Sequence, residues 1–265
     1  VRRERGVALI TSLLVVALAT TVAVGMAVRD NLQIQRTDWL FTQDRMRGVL
    51  LGGEVMARRL LERVAPGDLP WEQCLSPPVP LLVDGIEITA RLENLHCRFN
   101  LNALQRDDDA ILRAFIDLVQ RAGIAEERVI PPHVATQLAA AARDWMNGAT
   151  DDPVYRLRAV PERSANRPFL LAAELNRVHT MNREIWDAVA PYVTALPVTD
   201  MLIDREHAPD VVNLATAEVS DEGSLRFMRL QLAASWRGRT FFHCAILDAP
   251  NGRTVVREFR PCDGG

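Results

Sequence analysis

The sequence predicts an α+β protein: one long N-terminal helix packed on an antiparallel sheet, with a large all-helical domain inserted into the head that carries the sheet. Three observations carry this. No proline interrupts the chain from Val7 to Ala65. Ile86 to Leu92 alternates apolar and polar residues strictly, as a half-buried strand does. About 90 residues of helical periodicity then separate that strand from a β-rich C-terminal stretch, so the helical block reads as an insertion.

The N-terminal element begins with Arg2, Arg3 and Arg5, offset by Glu4, and continues as an unbroken apolar run from Val7 to Val28. About 22 residues at a rise of about 1.5 Å each give a helix of about 33 Å, enough to cross the hydrocarbon core of a bilayer. The run is longer than the apolar core of a cleavable secretory signal. The basic cluster is expected on the cytoplasmic side, which predicts a single-pass membrane protein whose remainder is periplasmic or extracytoplasmic. Beyond Arg29-Asp30 the pattern becomes one-sided. Val49, Met56, Leu60 and Val64 fall on one helical face, with Arg47, Glu54, Arg58, Arg59 and Glu62 on others, and Pro66-Gly67 stops the helix after about Val64.

The Pro-rich stretch Asp68 to Pro80 reads as a loop carrying Cys74. After the strand Ile86 to Leu92 comes Asn100-Leu101-Asn102-Ala103-Leu104, read from its residues as a strand end and turn. Asp107, Asp108 and Asp109 suit the start of a helix over Ile111 to Ala122, ended by Gly123. Pro131-Pro132 opens another helix, reaching Trp145 and Met146. Leu170 to Leu175 and Glu184 to Val193 are expected as short helices, and Val211 to Leu214 as extended. Leu225 to Ala234, Arg239 to Leu247 and Thr254 to Phe259 read as strands, the last two joined by the turn Pro250-Asn251-Gly252. The expected divisions are 1–6, 7–28 (the transmembrane half of the helix), 29–102 (the rest of the helix and the first part of the head), 103–205 (the helical insert) and 206–265 (the remaining sheet).

With 265 residues and 48% hydrophobic content, the chain can bury a sizeable core. Its 31 Lys+Arg against 34 Asp+Glu, a formal net charge of -3, provides no broad basic field, so nucleic acid is not an expected partner. Cys74, Cys97, Cys244 and Cys262 contain no C-x-x-C pair. Four cysteines allow three connectivities, and buried free thiols are the alternative to any of them. The expectation adopted is the local pairing, Cys74 with Cys97 and Cys244 with Cys262, each closing a loop of roughly 20 residues and contributing about 3 kcal/mol.

Arg3-Glu4-Arg5-Gly6 before an apolar run resembles the leader of type IV pilins and pseudopilins, which prepilin peptidase cuts after the glycine before methylating the new N-terminus. That resemblance implies processing between Gly6 and Val7, and makes Thr11 the fifth mature residue. Most of that superfamily has a glutamate there, which pairs with the ammonium of a neighbouring subunit; threonine cannot supply the charge. Its absence, with the N-x-N-x-L run ending at Leu104, Asp144-Trp145, Ser164 to Pro168, Ala173-Glu174-Leu175, Pro191 to Pro197 and Val212 to Ala217, is similar to the minor pseudopilin family called general secretion pathway protein K, of the type II secretion system.

The resemblance implies a pilin-like head split by a helical domain. It implies a structural role, without catalysis, at the tip of a periplasmic pseudopilus that drives folded exoproteins across the outer membrane. It also implies as partners the I-type and J-type minor pseudopilins, the major pseudopilin, the inner-membrane assembly platform, prepilin peptidase and inner-membrane lipid. The family's acidic residues after D-W bind calcium, which makes Asp144, Asn147, Asp151 and Asp152 the candidate ligands. Asn147 replaces a carboxylate, the loop is short, and calcium wants six to eight oxygens.

Two other readings compete. His96, His133, His179, His207 and His243 form no H-E-x-x-H array and no serine sits in G-x-S-x-G, so a periplasmic enzyme would need a dispersed active site. Glu174-Leu175 and the short helices from Leu170 to Val193 resemble a helix-hairpin-helix module on a membrane-anchored protein. The glycine-hinged turn that presents backbone N–H groups to phosphate is replaced there by Val178-His179-Thr180-Met181-Asn182.

Overall fold

A computed structural model describes residues 4–147, 153–157 and 163–262. The chain divides into two compact units, 1–49 and 50–265. The first contains most of α1 (Glu4–Leu61), a single uninterrupted helix. By length and composition this helix can cross a membrane, and Leu9 to Val28 is exposed throughout.

The second unit begins with the last turns of α1 and contains a five-stranded antiparallel sheet. Its strands are β1 (Val79–Val83), β2 (Ile86–Asn94), β5 (Phe227–Trp236), β6 (Arg239–Asp248) and β7 (Arg253–Glu258), in the order β1-β2-β5-β6-β7. The central pair β2 and β5 is far apart in sequence yet in continuous register, with Ala90 opposite Leu232 and Leu92 opposite Leu230. Residues 95–226 are therefore an excursion from between two adjacent strands. They contain α2 (Asp109–Ala125), α3 (Pro132–Asn147), α4 (Pro153–Arg156), α5 (Arg183–Val189) and α6 (Asp210–Ala215), with several 3-10 turns. A short parallel pair, β3 (Phe99–Asn100) with β4 (Val193–Thr194), is the one non-helical pairing among these described residues.

The insert has its own core. Phe99, Leu104, Phe115, Leu118, Leu138, Trp145, Tyr155, Leu175, Val189 and Met201 pack together, with Tyr155 set edge-on to Trp145. Capping follows from the sequence: Asp108 accepts the Ala110 N–H at 2.9 Å, and Asn182 accepts the Ile185 N–H at 2.8 Å.

Several sequence expectations need correction. The loop expected through Pro80 gives way to β1 at Val79, an edge strand where a proline at position 80 is tolerated. Gly123 lies inside α2 and does not end it; a Cβ there would sit 2.6 Å from the Arg128 carbonyl oxygen, so the glycine permits close packing of the following loop. Val211 to Leu214 is helical, within α6. Its adjacent valines suggest a strand, but Pro209 and Asp210 start a turn that buries Val212 and Ala215 in the insert core, and packing overrides local propensity. The helix expected to reach Val193 ends at Val189 and passes through a 3-10 turn at Ala190–Tyr192 into β4.

The buried face of α1 also differs from expectation. Of the expected face Val49 is buried, but Met56 and Leu60 are 39% and 50% exposed and Val64 is exposed, whereas Leu50, Gly53, Glu54, Ala57 and Leu61 are buried. Between Leu50 and Leu61 the residues that flank Glu54 in this stripe are small, which apolar periodicity underweights. A Cβ on Gly52 would lie 2.8 Å from Val83, and one on Gly53 would lie 3.0 Å from Ile88 and 3.2 Å from Leu232. Glycine thus lets helix backbone and sheet approach more closely than any side chain would allow.

Candidate functional site

The sheet has two faces, and each is joined to its covering layer by a buried polar cluster. On the face that receives residues 50–61 of α1 the centre is Glu54, 1% exposed. Its carboxylate accepts from Arg257 Nε at 2.8 Å and Nη2 at 2.7 Å, from His243 Nε2 at 2.7 Å and from Thr254 Oγ1 at 2.5 Å. Burial alone would raise the pKa of this carboxyl, but the hydrogen bonds from His243, Arg257 and Thr254 prevail and hold it well below its ordinary 4.5. The His243 ring tilts against Phe259, with centroids 4.9 Å apart.

A β-bulge makes this convergence possible. Ile246 pairs with Val256 and Leu247 with Thr254, which leaves Val255 as the extra residue. Without it Thr254 and Arg257, three positions apart, would point to opposite faces; with it both accompany His243 toward the helix. Ile246 and Val256 turn to the other face, where Leu95, Leu196 and Phe227 pack with them.

On that second face neutral amides and a histidine stand beside ion pairs, among them Asp248 with Arg226 Nε and Nη2, both at 2.8 Å. Asn100 Nδ2 donates to Val198 O at 2.8 Å and Asp200 O at 3.0 Å, while its Oδ1 accepts from Asn102 N at 3.2 Å and Leu196 N at 3.0 Å. Asn102 Nδ2 donates to Leu196 O at 2.6 Å and Phe169 O at 2.9 Å, and its Oδ1 accepts from Phe169 N at 2.8 Å. His96 Nε2 accepts from both Arg226 N and Phe227 N at 3.0 Å. The proton must then be on Nδ1, which donates to Leu202 O at 3.2 Å. Burial lowers the pKa of His96, in keeping with this neutral tautomer. Asn94 adds a bond to Asp204 at 2.7 Å. These side chains tie the point where the chain leaves the sheet to the segments by which it returns. Beside them, buried Glu93 pairs with Arg98 and, at 2.9 Å, with Arg229.

The sulfurs of Cys74 and Cys97 are joined, as are those of Cys244 and Cys262. The first bridge pins the loop before β1 to the start of the insert, and the second ties the end of the chain to β6. Gly6, Val7 and Thr11 lie in the early turns of α1, and Thr11 is exposed. Two of the four candidate calcium ligands are among the described residues. Asp144 and Asn147 are exposed at the end of α3, while Asp151 and Asp152 lie outside the described residues. No three His, Cys, Asp or Glu side chains converge on a metal position among the described residues.

Sequence reasoning missed Glu54, which it placed off the apolar face; the flanking Gly52, Gly53 and Ala57 were the available signal. His96 and His243 are buried structural groups.

A long helix laid on an antiparallel sheet, with a helical domain emerging between the two central strands, defines a pilin-like head of the split kind. A family model described as type II secretion system (T2SS), protein K, matches residues 97–198. Type II secretion system protein K of Pseudomonas aeruginosa is 33% identical over 82% of this chain and 67% of its own length. The protein of the same name from Pectobacterium carotovorum subsp. carotovorum is 31% identical over 76% of this chain and 66% of its own. The chain thus spans about two thirds of the length of these relatives. It belongs to the type II secretion system protein K family of minor pseudopilins.

A crystal structure of the GspK-GspI-GspJ complex from the enterotoxigenic Escherichia coli type 2 secretion system matches with a TM-score of 0.68 at 18% identity, covering 83% of this chain and 98% of that one. The likeness shows that the fold is shared.

Proposed function

We propose that this chain is the tip subunit of a periplasmic pseudopilus, a structural part that does no chemistry and helps move folded exoproteins through an outer-membrane channel. The single observation behind this is the excursion of residues 95–226 from between β2 and β5. So large a domain on the head obstructs the addition of another subunit beyond it, which favours a terminal place. Thr11 fits the same place, since a first subunit has no predecessor whose ammonium needs a carboxylate.

The partners on this reading are an I-type and a J-type minor pseudopilin, by analogy with the GspK-GspI-GspJ complex. The major pseudopilin, assembly platform and inner membrane follow from the same role. Co-purification from detergent of the full chain with its I-type and J-type counterparts is the test. A stable three-component complex is expected, and failure to form one would contradict the tip assignment. Restoring glutamate at Thr11 should leave secretion largely intact.

Calcium binding by Asp144, Asn147, Asp151 and Asp152 is a separate proposal. Calorimetry at millimolar calcium should give heat and a higher melting temperature, and the absence of both would exclude it.

A further inference from the structure

We propose that Glu54 is a register lock: it fixes where the head sheet sits along the last turns of α1, so that axial load carried by the helix reaches the head without slippage. The load-bearing half of this rests on the proposed place in a pseudopilus; the register half does not.

Between the buried Leu50 and Leu61 the apolar part of this interface has little relief. There Gly52, Gly53 and Ala57 present no large knobs, and Val83, Ile88 and Leu232 meet the helix backbone at the two glycines. Interfaces of small residues allow close approach but offer little steric definition of position along the axis. Among the described residues, Glu54 is the one charged side chain of α1 that is fully buried. Its two oxygens accept four hydrogen bonds from three side chains on two strands, His243 of β6 and Thr254 and Arg257 of β7. The bulge at Val255 exists in the register that brings the two β7 donors to one face. A shift of one helical turn, about 5.4 Å, would carry the carboxylate away from all three and leave a buried charge unpaired. Buried polar groups that cost stability yet select one register are the best-attested use of such clusters. Thr254 and Arg257 follow the turn at Gly252, whose carbonyl accepts from Arg58 Nη1 at 2.9 Å one helical turn further along α1, so the anchoring continues in one direction along the helix.

The test places spin labels at Met56 and Leu82, both exposed, in the full chain with its disulfides intact. Electron–electron distance measurements are made on the parent, Glu54→Leu and Arg257→Met. Secretion is assayed in cells that carry each variant as the sole copy. Arg257→Met keeps the Glu54–His243 bond and serves if Glu54→Leu fails to fold. The lock predicts one distance in the parent and a second population, displaced by about 5 Å, in each variant, with loss of secretion. A single parental distance in both variants overturns the proposal, whatever secretion does. A displaced population with undiminished secretion overturns the load-bearing role and leaves the register role standing. Neither result bears on tip-complex formation, which the co-purification reads separately.

Discussion

The two faces of the head sheet are held in different ways. Toward α1 the contact centres on small residues and one carboxylate shared by three partners; toward the insert it is made by neutral asparagines and a neutral histidine together with separate ion pairs, Glu93 with Arg98 and Arg229 and Asp248 with Arg226. An ionised cluster depends on pH and on having every charge paired, so it discriminates sharply between registers. Asparagine offers two donors and two acceptors on one short side chain, so it can staple several irregular strands of backbone at once without a charge to neutralise. A helix on a sheet needs its position specified; a looped excursion needs its ends closed.

The largest expected effect is on the insert side. Asn102→Ala leaves Phe169 N, Phe169 O and Leu196 O buried without that partner. Urea unfolding should show a loss of about 4 kcal/mol, since each such group costs roughly 1–3. Replacing Cys244 and Cys262 together by serine should cost about 3 kcal/mol, and the same variant should match the parent once the parent's disulfides are reduced, if Cys74 and Cys97 are also replaced.

On the helix side, Glu54→Gln should cost about 2 kcal/mol at neutral pH, because the amide must turn a donor toward one of the groups that now donate to the carboxylate. The pH dependence separates the faces further. The folded-state pKa of Glu54 lies below its ordinary 4.5, so its stabilisation is full above that value and declines as pH falls below it. The folded-state pKa of His96 lies below its ordinary 6.5, so its neutral form stabilises the fold fully above 6.5 and that contribution begins to fall first as the solution is acidified. Stability measured against pH should therefore decline in two stages, and Glu54→Gln should shrink the more acidic one, leaving the part owed to Asp248, whose carboxyl the Arg226 hydrogen bonds hold below its ordinary 3.8.

Two small effects test which face of α1 is buried. Gly53→Ala should destabilise by about 1 kcal/mol or somewhat more, because its methyl meets Ile88 and Leu232. Leu60→Ala should change stability by no more than about 0.5 kcal/mol, as for an ordinary exposed position. The opposite ordering would return α1 to the face that apolar periodicity suggests.

Those residues also mark where the sequence is legible. The long helix, the strand from Ile86, the helical insert and the C-terminal hairpin around Gly252 all announce themselves, because their apolar periods and turn residues agree with their final environment. The face of α1 does not. Gly52, Gly53 and Ala57 contribute little to an apolar pattern, yet closeness of approach makes them the interface, and Glu54 looks like a solvent-facing charge until the bulge at Val255 supplies its partners. α6 is illegible for a similar reason, since adjacent Val211 and Val212 favour a strand and only the insert core makes them helical. The Asn100 and Asn102 staple is visible as a pattern, but its purpose depends on backbone from Phe169 and from Leu196 to Asp200, far along the chain. Apolar spacing records what a residue avoids; it does not record which distant polar group will satisfy it.

The most direct measurement is the mass of the mature N-terminus in the native membrane. A processed and methylated Val7 is what a pseudopilin requires. A chain that keeps residues 2–6 would instead be an ordinary anchored protein, and would contradict the place proposed for it in a pseudopilus.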